Sequence, residues 1–340
     1  SAPGTPVTLP HDAMLAEERS QTSAGGTNTG WFAGYDYLYE KHFTPDAAQA
    51  AQCAVLEFEG VYHNAEVHLN GEKIASCPYG YSDFYADLTG KLLPGRDNVL
   101  EVIAHNADQP NSRWYSGAGI YRPVTLWTAP ARHILPDGVQ VRTLSIDPAE
   151  VEVTVQTTAS GTVAVAILDG EQTVATAQAE SNGKAVLQVQ IPNAKLWSPD
   201  SPALYRCRAM FGDDCAETTF GVRTLSWGDD GFLLNGKRVI LLGACVHHDH
   251  GVLGACCYPE AEERKVRLLQ KVGYNAVRCA HNPCSKAFLD ACDRLGMLVM
   301  DEYADMWYIH KTQYDYAGYL PDHWRQDLES IVRKDYSHPS

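Results

Sequence analysis

The last third of the chain alternates short apolar runs with polar residues and amphipathic stretches. Apolar runs at Val239–Leu242, Ala276–Arg278 and Leu298–Met300 predict three strands. Between these runs, apolar side chains recur at helical spacing in Glu263–Val272 and Ala287–Leu295, which predicts two helices. Strands that alternate with helices in this way are typical of a parallel β/α array.

Two further elements complete this region. The segment FLLNGKRV predicts a lead-in hairpin that turns at Asn235-Gly236. A third helix is expected to begin near Pro321-Asp322 and to continue through Trp324–Val332. Because a complete (β/α)₈ barrel takes roughly 250 residues, residues 227–340 are predicted to form only the first three β/α units of a TIM barrel.

Residues 1–133 show the two-residue period of β-strands instead. Leu56 and Phe58 alternate with polar residues, as do Ala65, Val67 and Leu69 in the next strand. Asn70-Gly71 then supplies the pair of positive-φ residues that a tight hairpin needs. Further strands are predicted over Asn98–Ala104 and Tyr121–Trp127. Many short strands joined by Gly, Pro and Asn turns predict a jelly-roll β-sandwich.

Residues 134–226 form a second predicted β unit. The segments VEVTVQT, TVAVAIL, AVLQVQI and ALYRCRAM alternate apolar and polar residues. Turns are predicted at Asp169-Gly170, Asn182-Gly183 and Gly212-Asp213. About seven short strands in roughly a hundred residues predict an immunoglobulin-like sandwich. No catalytic constellation is visible in this unit, so we expect it to position its neighbours.

Charge and cysteine content limit which partners and which cellular compartment are expected. The net charge of −15 argues against nucleic acid and anionic membranes, which both attract positively charged surfaces. No run approaches the roughly 18 apolar residues of a membrane helix, and no signal-peptide pattern is visible. The ten cysteines show no CxxC spacing, which favours free thiols in a reducing compartment and predicts a cytoplasmic protein.

Polar residues follow each predicted strand of the β/α array. They are HHDH (His247–His250), AHNP (Ala280–Pro283) and DEY (Asp301–Tyr303). Because chemistry in β/α barrels lies at the carboxyl ends of the strands, these residues are candidates for a site. In the first unit, Trp114 and Tyr115 lie in the Gly-rich stretch SRWYSGAG. Aromatic faces beside an arginine on a loop suit stacking against a sugar ring.

Six stretches, in order along nearly the whole chain, resemble glycoside hydrolase family 2, the family of β-galactosidases, β-glucuronidases and β-mannosidases. They are GVYHNAEVHLNG, SRWYSGAGIYRPV, LWSPDSPALY, FGVRT, FLLNGKRVILLGACVHHDH, and AVRCAHNP with the following CDRLGMLVMDE. The resemblance implies a jelly-roll domain, an immunoglobulin-like domain and a (β/α)₈ barrel. This is the same architecture that the hydrophobic pattern predicts.

The resemblance also implies a retaining glycosidase mechanism, in which one Glu protonates the leaving oxygen and a second attacks the anomeric carbon. In the family these residues follow the fourth and seventh barrel strands. We therefore expect neither catalytic Glu within these 340 residues, which would form an amino-terminal portion that is inactive alone. Terminal β-galactosides are the expected substrates, and β-glucuronides are the alternative.

The resemblance assigns roles to individual residues. His247 and His281 match the family's substrate-contacting histidines, and Arg278 matches the arginine that supports the catalytic carboxylates. Asp301 and Glu302 are expected to organise the pocket floor. Asn282 and Trp114 complete the predicted substrate-binding set.

The chain also departs from the family pattern. Met306 and Tyr308 stand where some relatives carry magnesium ligands, and neither side chain suits magnesium. Ser112 stands where some β-galactosidases carry a sugar-binding Asp. We expect no metal and no cofactor.

Two other interpretations remain open from the sequence. His247–His250 with Cys256-Cys257 would suit zinc chemically, although adjacent cysteines cannot easily both reach one ion. A non-catalytic carbohydrate-binding protein would also explain the first unit. Because three barrel strands leave an open sheet edge, we expect the chain, when expressed alone, to form homo-oligomers or to bind a partner surface that covers this edge.

Overall fold

The computed structural model describes residues 4–340, which form three units in chain order. The first unit is a β-sandwich with one short helix. Its elements are β1 (Asp36–Phe43), α1 (Ala47–Ala51), β2 (Cys53–Phe58), β3 (Ala65–Leu69), β4 (Glu72–Cys77), β5 (Phe84–Asp87), β6 (Asn98–His105) and β7 (Val124–Ala129). The order β1-β6-β3-β4 forms one antiparallel sheet, and the order β5-β2-β7 forms the other. This arrangement confirms the sandwich that the alternating pattern predicted.

Apolar side chains from the strands of both sheets form the core of the first unit. Phe58 and Phe84 stack with ring centroids 4.9 Å apart, beside the buried Val67 and Val102. The hairpin between β3 and β4 turns at Asn70-Gly71, where φ is 52° and 83°. Both values are positive, as the predicted turn requires.

The strand predicted over Tyr121–Trp127 begins three residues later, at Val124. Tyr121 and Arg122 are buried against the third unit instead of joining the sheet. The Tyr121 carbonyl accepts a 2.9 Å hydrogen bond from the Cys257 amide, and Arg122 donates one of 2.6 Å to the Pro283 carbonyl. Contacts between units therefore decide where this strand begins.

The second unit is an immunoglobulin-like sandwich built on long strands. Its elements are β8 (Ile134–Ile146), β9 (Ala149–Asp169), β10 (Gln172–Gln190), β11 (Trp197–Ser198), β12 (Ser201–Pro202), β13 (Tyr205–Phe211) and β14 (Asp214–Phe220). The first half of β9 pairs with β8, and its second half pairs with β13. β10 pairs with β9 along almost its whole length. The long strands β9 and β10 thus take part in both layers of the sandwich.

Two details of the prediction for this unit were wrong. Some strands are much longer than predicted, and the chain does not turn at Asn182-Gly183. VEVTVQT and TVAVAIL belong to the single 21-residue strand β9. Gly183 has φ of 90° and lies inside β10, where the register with β9 shifts between Asn182 and Lys184. The positive φ therefore makes a bulge that bends the strand, not a reversal of the chain.

The third unit contains the predicted hairpin and β/α units. Its elements are β15 (Leu225–Gly228), β16 (Gly231–Leu234), β17 (Lys237–Arg238), β18 (Gly243–Val246), α2 (Pro259–Lys271), β19 (Ala276–Cys279), α3 (Lys286–Leu295), β20 (Leu298–Met300) and α4 (Leu320–Asp335). β18, β19 and β20 form a parallel sheet in that order. α2 and α3 pack Val266, Phe288 and Leu289 against Val277 of β19. The three predicted helices are confirmed.

The strand predicted over Val239–Leu242 was wrong, because the strand is Gly243–Val246. The Asn275 side chain donates to the Ile240 carbonyl at 2.9 Å and accepts from the Leu242 amide at 2.8 Å. These bonds take backbone groups that a sheet ladder would otherwise use. Ile240 is 66% exposed despite its apolar side chain.

Buried aromatic residues join the three units. Tyr79 and Tyr81 of the first unit pack in one cluster with Tyr303 of the third. Trp197 of the second unit packs against Leu298 of β20. These contacts place a loop of the first unit beside the carboxyl ends of the barrel strands. The domain boundaries after residues 133 and 226 stay a prediction.

Among residues 4–340, no helix is both long enough and apolar enough to cross a membrane.

Candidate functional site

Three aromatic rings from two units meet at the carboxyl end of the parallel sheet. His247 directly follows β18, His281 lies two residues after β19, and Trp114 lies in the loop between β6 and β7. The Trp114 ring lies 5.8 Å from His247 and 5.2 Å from His281, and the two imidazoles are 5.6 Å apart. Val246 and Cys279 are paired in register, so the two histidines emerge from neighbouring strand ends.

A charged pair lies beside these rings. The Arg278 guanidinium, on β19, forms an ion pair with the Glu302 carboxylate, two residues after β20. Arg278 also contacts the Cys245 sulfur at 3.1 Å. The Nδ1 atom of His281 lies 3.6 Å from the second Glu302 oxygen. The structure thus brings together Trp114 and four predicted residues of the third unit.

Trp114 is held by neighbours within the first unit. Its indole N–H donates a 2.9 Å hydrogen bond to the Tyr81 hydroxyl. The Ser112 hydroxyl donates to the Trp114 carbonyl at 2.9 Å and lies 3.2 Å from the Trp114 amide. Ser112 therefore stabilises the loop that carries the ring.

Asp305 joins the two units next to the rings and was missed by sequence reasoning. Its carboxylate accepts bonds of 2.6–2.9 Å from Nε and Nη2 of Arg113 and one of 2.8 Å from Lys311. It lies 4.0 Å from Nδ1 of His281. Burial raises the pKa of Asp305, but the bonds from Lys311 and Arg113 outweigh this effect and hold it below its usual value. An acidic residue three positions after Glu302, in the same loop, was the available signal.

The remaining predicted residues, Asp301 and Asn282, contact other parts of the third unit. Asp301 accepts hydrogen bonds from the backbone amides of Cys284 and Glu302, and burial raises its pKa to about 7. Asn282 is buried and lines an inner cavity with His247 and Cys284. Its side-chain nitrogen has no hydrogen-bond partner among residues 4–340. Contact of Asp301 or Asn282 with a sugar therefore stays a prediction.

The protonation state of His247 suits hydrogen bonding to hydroxyl groups. Burial lowers its pKa, and the nearby His281 lowers it further. A neutral imidazole can both donate and accept a hydrogen bond. The adjacent His248 has a structural role, because its Nε2 donates to the Ser116 carbonyl at 3.0 Å and its ring packs against Tyr81. Burial lowers the His248 pKa to about 4.

Three groups of side chains in residues 4–340 have the spacing of metal ligands. They are Cys279, Cys284 and Asp301; Asp290, Asp293 and His338; and Glu57, Asp83 and Asp137. None of these groups contains a residue of the zinc set His247–His250 with Cys256-Cys257. Cys257 and His250 both approach one oxygen of Glu262, at 3.7 Å and 3.4 Å, whereas His248 bonds to the Ser116 carbonyl. Among residues 4–340, the zinc set therefore forms no group with the spacing of metal ligands.

Family comparisons match consecutive parts of the chain. Residues 10–132 match the glycosyl hydrolase 2 galactose-binding domain-like family, and residues 135–223 match glycosyl hydrolases family 2. Residues 226–340 match the glycosyl hydrolases family 2, TIM barrel domain.

Individual relatives agree with the family matches. The beta-galactosidase BoGH2A of Bacteroides ovatus is 38% identical over 98% of this chain and 42% of its own length. A putative beta-glucuronidase of Formosa agariphila is 32% identical over 98% of this chain and 34% of its own length. The crystal structure of a glycosyl hydrolase family 2 member from Bacteroides cellulosilyticus superposes with a TM-score of 0.92 at 37% identity. It covers 98% of this chain and 46% of that one. The chain thus spans less than half the length of each of these relatives.

Proposed function

The chain belongs to glycosyl hydrolase family 2, and on this basis we propose that its site takes part in hydrolysing terminal β-linked sugars, most readily β-galactosides. The observation that carries the proposal is the meeting of Trp114, His247 and His281 at the strand ends. An aromatic face and two imidazoles offer a stacking surface and hydrogen bonds to the hydroxyl groups of one sugar ring.

The charged pair beside the rings suits a supporting role in a retaining mechanism. That mechanism needs one carboxylic acid to protonate the leaving oxygen and one carboxylate to attack the anomeric carbon. Glu302 is paired with Arg278, and Asp305 is held ionised by Arg113 and Lys311. Neither arrangement provides a free proton donor, and the third carboxyl group at these strand ends, Asp301, is bonded to the backbone amides of Cys284 and Glu302. We propose that both reacting carboxylates come from outside these 340 residues, so that this chain binds and orients the sugar.

A second candidate substrate class is the β-glucuronides. Arg113 and Lys311 both pair with the carboxylate of Asp305, beside His281. Two cationic side chains at this edge of the site would favour a substrate that carries a carboxylate.

A panel of chromogenic glycosides tests the proposal. The panel contains the β-galactoside, β-glucuronide, β-mannoside and β-glucoside, each offered to the whole protein and to the 340-residue chain alone. We expect the whole protein to hydrolyse the galactoside fastest and the chain alone to hydrolyse none. Fastest turnover of the glucuronide would select the second candidate, and binding without turnover by the whole protein would indicate a non-catalytic carbohydrate-binding protein.

Turnover by the chain alone would contradict the assignment of the catalytic carboxylates. The control for contamination is the Glu302→Gln variant, purified in the same way. If the parent chain is active and this variant is not, the reacting carboxylates lie within these residues.

The compartment and assembly also belong to the proposal. All ten cysteines are free thiols, which supports a cytoplasmic location. The homo-oligomer expected from the open sheet edge stays a prediction, which light scattering would test.

A further inference from the structure

We propose that Arg113 and Asp305 form a positioning pair that sets the distance between Trp114 and His281 across the sugar site. The proposal rests on the proposed function, because it concerns the same site. It starts from the two-point contact between the Arg113 guanidinium and the Asp305 carboxylate, in which Nε lies 2.9 Å from Oδ2 and Nη2 lies 2.6 Å from Oδ1. A fork of this kind fixes direction as well as distance.

The pair links the two walls of the site. Arg113 directly precedes Trp114, so its position constrains the backbone that carries the indole ring. Asp305 lies 4.0 Å from Nδ1 of His281 on the opposite wall. The Asp305 carboxylate is therefore hydrogen-bonded to the neighbour of Trp114 and lies close to His281. The rings of Trp114 and His281 are 5.2 Å apart.

The other hydrogen bonds of Trp114 come from the first unit. Tyr81 accepts a hydrogen bond from the indole, and Ser112 bonds to the backbone of Trp114. Towards the third unit the ring has aromatic contacts with His247 and His281, and Tyr81 packs against His248. Such packing allows the rings to slide, and the Arg113 fork adds a contact that is fixed in direction.

Folding and positioning can be separated experimentally. The Asp305 side chain is only 7% exposed, whereas that of Arg113 is 42% exposed. When Arg113 is replaced, Lys311 still compensates the buried carboxylate at 2.8 Å. The Arg113→Gln variant should therefore fold and lose only the link between the walls.

The main test compares KM and kcat in the whole protein. We expect Arg113→Gln to raise KM for every glycoside that the protein hydrolyses, on the order of ten-fold, because misplaced binding groups weaken substrate orientation. Arg113→Lys should not restore KM, since an ammonium cannot form the fork. The matched control is Arg208→Gln, which removes one of two arginines from Glu217 in the second unit. It should leave KM unchanged.

Two kinetic outcomes would overturn the proposal. In the first, Arg113→Gln behaves like Arg208→Gln. In the second, Asp305→Asn lowers KM for the glucuronide alone, which would show that Arg113 acts by its charge on the substrate and not through Trp114.

A spectroscopic test does not depend on catalysis. The fluorescence of Trp114 is obtained in the 340-residue chain as the difference between the parent and Trp114→Phe, each with and without Arg113→Gln. We expect acrylamide to quench this difference signal more strongly when Arg113 is absent, because the ring is less confined. Equal quenching would refute the positioning role. If the whole protein hydrolyses no glycoside, the proposed function fails, and this measurement still decides the role of Arg113.

Discussion

Lys286 is predicted to stabilise the junction of the three units strongly. It lies at the start of α3, and its ammonium contacts Glu57 of β2 and Asp137 of β8. It also lies 3.7 Å from Asp83. The Glu57 and Asp83 side chains are 3% and 2% exposed. The Lys286→Met variant keeps most of the side-chain volume and removes the ammonium that pairs with Glu57, whereas Asp83 keeps the charge of Lys334 nearby.

The expected cost is large because the carboxylates stay buried. Removing one partner of a buried ion pair typically costs about 3–5 kcal/mol, since the remaining charge is left without compensation. The matched control is Lys195→Met, whose ammonium pairs with Asp169 while its side chain is 64% exposed. Solvent screens such a pair, so the control should lose less than about 1 kcal/mol.

Urea unfolding measures the difference. Intrinsic fluorescence and far-UV circular dichroism are followed together, because a protein of three units need not unfold in one step. At a slope of about 3 kcal/mol per molar urea, the predicted loss moves the midpoint of the first transition by at least about 1 M.

The pH dependence sharpens this test. Burial raises the pKa of Asp83 to about 8. Without the ammonium, Asp83 should take up a proton more readily, which removes part of the penalty. The cost of Lys286→Met should therefore be smaller at pH 6 than at pH 8. A variant that matches Lys195→Met at pH 8 would refute the reasoning.

Two further variants test the junctions between units. Because the folded pKa of Asp83 lies above the unfolded value, the contribution of Asp83 to the stability of the parent should fall as pH rises from about 4 to 8, and Asp83→Asn should be the more stable protein at pH 8 but not at pH 5. Equal urea midpoints at pH 8 would contradict this. Trp197 is fully buried and its indole donates a 2.9 Å bond to the Asp293 carbonyl, so Trp197→Ala should cost about 3–5 kcal/mol. Trp197→Phe should cost about 1–3 kcal/mol for the unpaired carbonyl, and a loss below 1 kcal/mol for Trp197→Ala in the same urea assay would show that this junction is not stabilising.

The local pattern of the sequence was sufficient for most elements of the fold. Alternating residues identified β2, β3 and β6, helical spacing identified α2 and α3, and Asn70-Gly71 and Asn235-Gly236 marked their hairpins. These signals depend on backbone preferences of a few neighbouring residues, so the sequence carries them directly. The sequence also predicted that His247, Arg278, His281 and Glu302 lie near one another. These residues are at or just after the ends of neighbouring strands in a parallel β/α array, and such strand ends meet at one edge of the sheet.

Tertiary contacts decided the remaining features. Hydrogen bonds of the Asn275 side chain hold the apolar residues before β18 in a loop. The pairing of β10 with β9 places Gly183 in a bulge. Arg113 and Asp305, 192 residues apart, met only because aromatic packing brought two units together. A local pattern determines which backbone conformations have a low free energy. Which side chains meet depends on residues far apart in the chain, and only the folded arrangement contains that information.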